Sequence, residues 1–454
     1  MPELDAWEKV FIDDNSNGNG FLNSIHGPNY EGADNPTPHA LSCQHCHGGG
    51  DDNTFNTMEE AHTDMIRDPS EIGVTGCTKC HNGENAFRSA CDACHHVETV
   101  DSTINSLHTN LWGEKKSIED RCGRDFDSLG VDEFFDAKCA SCHTTCGQCH
   151  ISRPNSVGGG FPKIGSYYSH SFKATPDMNE QCTACHGSRI GHDFKGEAEG
   201  NVADVHRSPN AMKCQACHSA EEIHGDGQYT GDHYEHRYEV ATMPRCENCH
   251  QDDLDSGFGH IHHTGQDPDC GNCHHNGGTS CDACHDGGGA FAFTYPLPTM
   301  QCQVCHSQPY KNCTNCHNLV SGGKYEIEPS TLQLKIAQNP SPHREEYDFS
   351  LVRHTPISEG TYDDWNLDLP EYTSKSTWQY TSPHNILTNT PQTTVESGQS
   401  CTASCHGSPD GVNGYLLRES DLYEADGTTK LEDYDANFPY VIRDDFPATK
   451  ELKK

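Results

Sequence analysis

Apolar positions are sparse along most of this chain, and they alternate clearly with polar ones only towards its C-terminal end. Residues 324–328 and 331–336 alternate in this way, and residues 348–353 and 377–380 are further candidates. Alternation with a period of two predicts half-buried strands. Upstream, residues 61–66 suit a short helix, and residues 12–20 read as a polar loop. Asp13, Asp14, Asn15, Asn17 and Asn19 in that loop lack the regular spacing and final Glu of a calcium loop, so the segment is read as solvated. No run approaches the roughly 18 apolar residues of a membrane span. The pattern divides the chain into a loop-rich segment 1–40, a region 41–320 with no simple repeat, and a β-containing domain 321–454.

Composition sharpens this picture. Hydrophobic residues are 32% of 454, against about 45–50% in an ordinary domain, so conventional cores cannot be filled. Lys plus Arg is 30 and Asp plus Glu is 68, a net charge of −38. A nucleic-acid partner is therefore excluded, because phosphate neutralisation needs a basic face. An anionic leaflet is disfavoured for the same reason. Something other than aliphatic side chains must fill the interior.

The cysteines supply it. Twelve times the chain reads Cys-x-x-Cys-His. The first six motifs pair Cys43 with Cys46, Cys77 with Cys80, Cys91 with Cys94, Cys139 with Cys142, Cys146 with Cys149, and Cys182 with Cys185. The next six pair Cys214 with Cys217, Cys246 with Cys249, Cys270 with Cys273, Cys281 with Cys284, Cys302 with Cys305, and Cys313 with Cys316. A thirteenth motif, Cys401 with Cys405, has one extra residue between its thiols. Only Cys122 is left over, and it is read as a buried thiol, with a reactive or intermolecular cysteine as the alternative. Half a zinc site, a redox dithiol or a disulfide framework would account for cysteine pairs, but none requires His directly after the second Cys. Covalent attachment of c-type haem does. Two thiols form thioethers with the two vinyl groups of one porphyrin, and the next imidazole becomes the proximal iron ligand. Thirteen covalent haems are expected, with proximal ligands His47, His81, His95, His143, His150, His186, His218, His250, His274, His285, His306, His317 and His406.

Removing those 13 histidines from 32 leaves 19 for the other face of each iron. Met, the other common distal ligand, numbers only 7, so bis-histidine, low-potential haems are expected. The distal candidates are His26, His39, His62, His96, His108, His170, His206, His224, His236, His263, His275, His343, His354 and His384. His45 lies inside its own motif, and His192, His233, His260 and His262 complete the surplus. Which histidine serves which iron stays open at this level.

Motif spacing then predicts the architecture. Cys139 and Cys146 begin motifs seven residues apart, a reach of at most about 25 Å when fully extended. From Cys43 to His317, twelve motifs occupy 275 residues. The expected fold is a multihaem cytochrome c: mostly coil and short helices wrapped around a chain of closely packed haems. A smaller β-containing C-terminal domain carries the thirteenth haem. Electron tunnelling along such a chain needs no acid, base or nucleophile, so no catalytic residue is assigned. Thioether attachment takes place outside the cytoplasmic membrane, so export is expected. Met1-Pro-Glu-Leu-Asp has no signal-peptide character, and the numbering is read as that of a processed chain.

Several phrases resemble the large multihaem c-type cytochromes of anaerobic, respiring microbes. They are Ser106-Leu-His-Thr, Cys139-Ala-Ser-Cys-His-Thr-Thr-Cys-Gly-Gln-Cys-His-Ile-Ser-Arg-Pro, Cys302-Gln-Val-Cys-His-Ser-Gln, Val352-Arg-His-Thr-Pro-Ile and Ser382-Pro-His-Asn-Ile. The resemblance implies distal ligation by His108, His354 and His384. It implies electron transfer to redox partner proteins or extracellular acceptors, as a shuttle, a surface reductase or a filament. In some filament-forming relatives a histidine of one subunit ligates a haem of the next, and the surplus here permits such a homopolymer. The expected location is the cell surface or beyond, with the periplasm second. The alternative is a multihaem reductase of nitrogen or sulfur oxyanions with one open haem. Its Cys-x-x-Cys-Lys variant is absent, so the Cys401 motif is the first place to look for an open site. A third reading is an electron reservoir without defined direction.

Overall fold

A computed structural model describes residues 106–138, 145–153, 163–164, 167–168, 173, 175–197, 200–226, 228, 233–254, 300–308, 334–355, 359–390 and 415–443. Five motifs fall inside these ranges: Cys146 with Cys149, Cys182 with Cys185, Cys214 with Cys217, Cys246 with Cys249, and Cys302 with Cys305. Eight lie outside them. These are Cys43 with Cys46 and His47, Cys77 with Cys80 and His81, Cys91 with Cys94 and His95, and Cys139 with Cys142 and His143. The others are Cys270 with Cys273 and His274, Cys281 with Cys284 and His285, Cys313 with Cys316 and His317, and Cys401 with Cys405 and His406. Also outside are His26, His39, His45, His62, His96, His170, His260, His262, His263 and His275, the loop 12–20, the segment 61–66 and the strand candidate 324–328.

Two compact units form. The first comprises residues 1–116, 131–187 and 213–243. Its described elements are short: helices Leu107–Asn110, Asp132–Lys138, Cys146–His150, Thr183–His186 and Ala220–His224, with a two-stranded ribbon β1 (Lys163–Ile164) and β2 (Tyr167–Tyr168). Local chemistry breaks the chain this often. Leu111 takes the left-handed conformation (φ 70°) and ends the first helix. Asn110 Oδ1 then accepts from Trp112 N at 3.0 Å and starts the next helix, Trp112–Cys122. Polar ties link the motifs. Gln181 Nε2 donates to Ser152 O at 2.9 Å, joining the Cys182 and Cys146 motifs. Gln215 Nε2 donates to Pro176 O and brings in the Cys214 motif.

The second unit comprises residues 117–130, 188–212 and 244–454. It is built on an antiparallel sheet of order β3–β4–β5, with β3 Leu334–Gln338, β4 Phe349–His354 and β5 Trp378–Tyr380. The register pairs Ile336 with Leu351 and Val352 with Tyr380. Three of the four segments with a strand pattern thus carry strands. Alternation predicts half-burial for them; the sheet is instead covered on both faces. Ala337, Val352 and Trp378 pack on one side with Leu417, Leu422, Tyr434 and Val441. Ile336, Phe349 and Leu351 pack on the other with Val304, Leu416 and Ile442. Residues 415–443 provide much of both covers, a non-local contribution that strand periodicity does not reveal. Lys335 is buried with them, and Asp421 at 3.2 Å balances its charge.

This sheet anchors two motifs. Gln301, 1% exposed, donates from Nε2 to Tyr380 OH and Thr381 O, both at 3.0 Å. Its Oε1 accepts from Leu351 N at 2.9 Å, so the residue preceding Cys302 is fastened to β4 and β5. Tyr347 OH donates to Glu247 at 2.9 Å, and Arg245 pairs with Glu346; together they tie the Cys246 motif to the loop before β4. Among the described residues, no helix is long and apolar enough to cross a membrane.

Candidate haem-ligating histidines

A Cys-x-x-Cys-His sequence folded as one helical turn puts positions i, i+3 and i+4 on one side. The described motifs adopt such turns. In three of them the His amide donates to the carbonyl of the first Cys: His218 to Cys214 at 2.9 Å, His250 to Cys246 at 2.9 Å and His306 to Cys302 at 3.1 Å. Thr145 caps the Cys146–His150 turn by accepting from Gln148 N. Asp177 begins the turn into the Cys182 motif by accepting from Asn179 N at 2.8 Å and Glu180 N at 3.1 Å.

The structure then places a non-motif histidine opposite a motif histidine three times. His108 and His186 have ring centres 6.2 Å apart, His150 and His224 6.0 Å, and His206 and His250 6.1 Å. A metal–imidazole bond is about 2.0–2.1 Å, and a ring nitrogen lies about 1.2 Å from its ring centre. Two imidazoles sharing one metal would thus lie about 6.4–6.6 Å apart, centre to centre, by the same bond length, a few tenths of an ångström more than these pairs. The interplanar angles are 77°, 32° and 67°, a rotation that an axial ligand pair leaves free. Among the described residues, no three His, Cys, Asp or Glu side chains gather around one point as a bare metal ion would require. A pair of facing imidazoles is what an iron taking two protein ligands would use.

Ring nitrogens on the far side of these histidines are held by protein. His150 Nδ1 donates to Lys173 O at 2.7 Å, and His306 Nδ1 donates to Leu387 O at 3.0 Å. His206 Nδ1 donates to Asp204 Oδ1 at 2.8 Å, and His218 Nδ1 to Glu222 Oε2 at 2.7 Å. Each bond orients its ring and favours the tautomer with the proton on Nδ1, the usual outer support of a ligating imidazole. Burial opposes charge on His218, but the Glu222 hydrogen bond and charge outweigh it and hold the pKa above the ordinary value. Burial wins at His108, whose pKa is lowered despite Glu222 and a hydrogen bond to the Ile223 backbone.

Helix Ala220–His224 consequently touches three sites with consecutive residues. Glu222 holds His218, Ile223 backs His108, and His224 faces His150. The thiols converge too. Cys182 and Cys214 share a hydrogen bond that, with burial, pushes the Cys182 thiol up, and Cys149 lies close enough to add to the shift. Cys246 and Cys302 share another, which lowers the former and raises the latter. The second pair is separated by the Cys270 and Cys281 motifs in sequence, so spatial neighbours are not sequence neighbours. None of the described cysteines is in a disulfide. Of the second cysteines of these motifs, Cys217 and Cys249 are exposed, and Cys149, Cys185 and Cys305 are half-buried.

The remaining described candidates are placed otherwise. His354, on β4, shares a hydrogen bond through Nε2 with Thr377 Oγ1 at 3.1 Å and stacks on Trp378, with ring centres 4.8 Å apart. His236 caps the turn Arg237–Glu239, its Nδ1 accepting from Tyr238 N at 3.2 Å. His233 lies flat on Trp112 with ring centres 4.0 Å apart. His343 donates its backbone amide to Ser341 Oγ at 3.3 Å, and His192 opens helix His192–Lys195. His384 precedes Asn385, Ile386 and Leu387, which run antiparallel to residues 306–308 through the Ser307–Ile386 bridge. Cys122 is 2% exposed at the end of its helix, and burial pushes its thiol up, which suppresses the reactive thiolate.

Asp204, Glu222 and the three carbonyls behind the rings do not stand out in the sequence. Glu222 follows His218 by four residues, a spacing that could have flagged it. Asp204 stands two before His206. The carbonyls carry no sequence signal. No protein-family model, curated protein or solved structure matches the chain.

Proposed function

We propose that the protein is an exported, thirteen-haem c-type electron conduit that passes electrons to an external acceptor. The observation that carries this reading is the set of three motif/non-motif imidazole pairs at 6.0–6.2 Å. The paired thiols would anchor each haem, and the second imidazole would supply its other protein ligand. His108 with His186, His150 with His224, and His206 with His250 would hold three irons; the Cys214 and Cys302 motifs would hold two more through His218 and His306. Haem, when bound, supplies reversible one-electron chemistry at low potential when both ligands are imidazole. The chain contributes ligands, fixed tautomers and close placement: three sites meet on residues 222–224, within about 5 Å of helix rise. The net charge of −38 favours the oxidised, more positive form of the sites and steers the molecule towards basic partners.

Mass spectrometry of protein matured in a host that attaches c-type haem should show thirteen covalent additions. Carbon monoxide added to the fully reduced protein should leave the visible spectrum unchanged, since it binds only iron with a vacant or displaced sixth ligand. A change worth one haem would instead support an oxyanion reductase. A protein without covalent haem would sink both readings.

A further inference from the structure

The ring-supporting acceptors are of two kinds. His150 and His306 rest on neutral backbone carbonyls. His206 and His218 rest on carboxylates, and these are shielded from water: the Asp204 side chain is 3% exposed and that of Glu222 8%. Asp204 is clamped in place. Its Oδ1 also accepts from His206 N at 2.8 Å, and its Oδ2 accepts from Ile386 N at 2.8 Å. Glu222 is held by helix Ala220–His224, where its amide donates to Ser219 Oγ at 3.1 Å.

A hydrogen bond to a full negative charge is stronger than one to a carbonyl dipole. It moves electron density through the ring to the ligating nitrogen and makes that nitrogen more basic. Outer hydrogen bonding of this sort is one of the protein's levers on haem potential. We propose that Asp204 and Glu222 are potential-setting positioning residues. They make the His206/His250 site and the His218 site lower in reduction potential than the carbonyl-backed sites of the same unit. Each unit thereby acquires an internal direction. Electrons run from the His218 site towards the His150/His224 site in one, and from the His206/His250 site towards the His306 site in the other. This inference rests on the haem reading above.

The test is a redox titration of the complete, haem-loaded protein, followed by visible and electron paramagnetic resonance spectra. Asp204→Asn and Glu222→Gln each remove a charge at nearly constant shape. Each should move the potential of one low-spin component upward by about 59 mV, a tenfold fall in its oxidised-to-reduced ratio at fixed potential for one electron. The double substitution should move two components. The two substitutions fall in different units, so misfolding of one variant leaves the other decisive. Titration curves that superimpose on the parent's, at unchanged haem count, would overturn the inference. So would a new high-spin signal without a potential shift, which would mean that the carboxylates only hold the rings. Absence of covalent haem from the parent protein would instead remove the proposed function itself.

Discussion

At the residue scale, the histidines divide by what their second nitrogen does. His150, His206, His218 and His306 spend Nδ1 on protein acceptors. His354 spends Nε2 on Thr377, beside a Trp378 ring. Removing a distal ring should therefore have a local, countable effect. His224→Ala is expected to convert one low-spin haem, that of His150, to a high-spin, CO-binding centre while the others stay closed; magnetic circular dichroism would count it. Tyr234 offers a test at a side chain that is not itself a ligand candidate. It is fully buried and hydrogen-bonded to Asp226, and burial first, then that bond, pushes its pKa up to about 12. The unfolded side chain ionises near 10. Between those values the folded state keeps a proton that the unfolded state has lost, so stability is complete below about pH 10 and declines as pH rises towards about 12. Tyr234→Phe should flatten this alkaline limb in chemical denaturation experiments.

At the element scale, one helical turn per motif is legible in the sequence, because i, i+3 and i+4 must share a face for the chemistry to work. The strands are legible too, by alternation. Their double-sided burial is not, because Leu416, Leu417, Leu422 and Val441 arrive from some 80 residues away along the chain. Leu417 is fully buried against β3 and β4. Leu417→Ala should cost about 2–5 kcal/mol of unfolding free energy in its unit without changing the haem count. Gln301 joins this sheet to the Cys302 motif through a buried amide. Gln301→Ala leaves the Leu351 amide without its acceptor, at a cost of about 1–3 kcal/mol. Hydrogen exchange should show the penalty spreading from β4 into residues 302–308.

At the scale of the whole molecule, charge and spacing dominate. A net charge of −38 predicts that reduction by, or of, a basic redox partner slows steeply as ionic strength rises. Stopped-flow rates over a salt series would check this, and a neutral small-molecule mediator should show a weaker dependence. Within each unit, sites gather around shared backbone rather than in sequence order. The Cys246 and Cys302 thiols meet although two motifs intervene, and three histidine sites meet on helix Ala220–His224.

The number of motifs, the paired cysteines and the histidine that follows each pair are set by local spacing, so the sequence alone determines them. It also determines the surplus of imidazole over methionine, and hence the kind of distal ligand expected. It does not determine the partners. Each facing pair of rings joins residues from 44 to 78 positions apart, as His206 with His250 and His108 with His186, and such meetings depend on turns, caps and long-range hydrogen bonds. The outer supports divide in the same way. Glu222 lies one helical turn from its histidine and could be anticipated, whereas Lys173 O, Ile223 O and Leu387 O are main-chain atoms that any residue would supply. Only tertiary structure aims a particular carbonyl or carboxylate at a particular ring, and so decides which imidazole leans on a charge and which on a dipole.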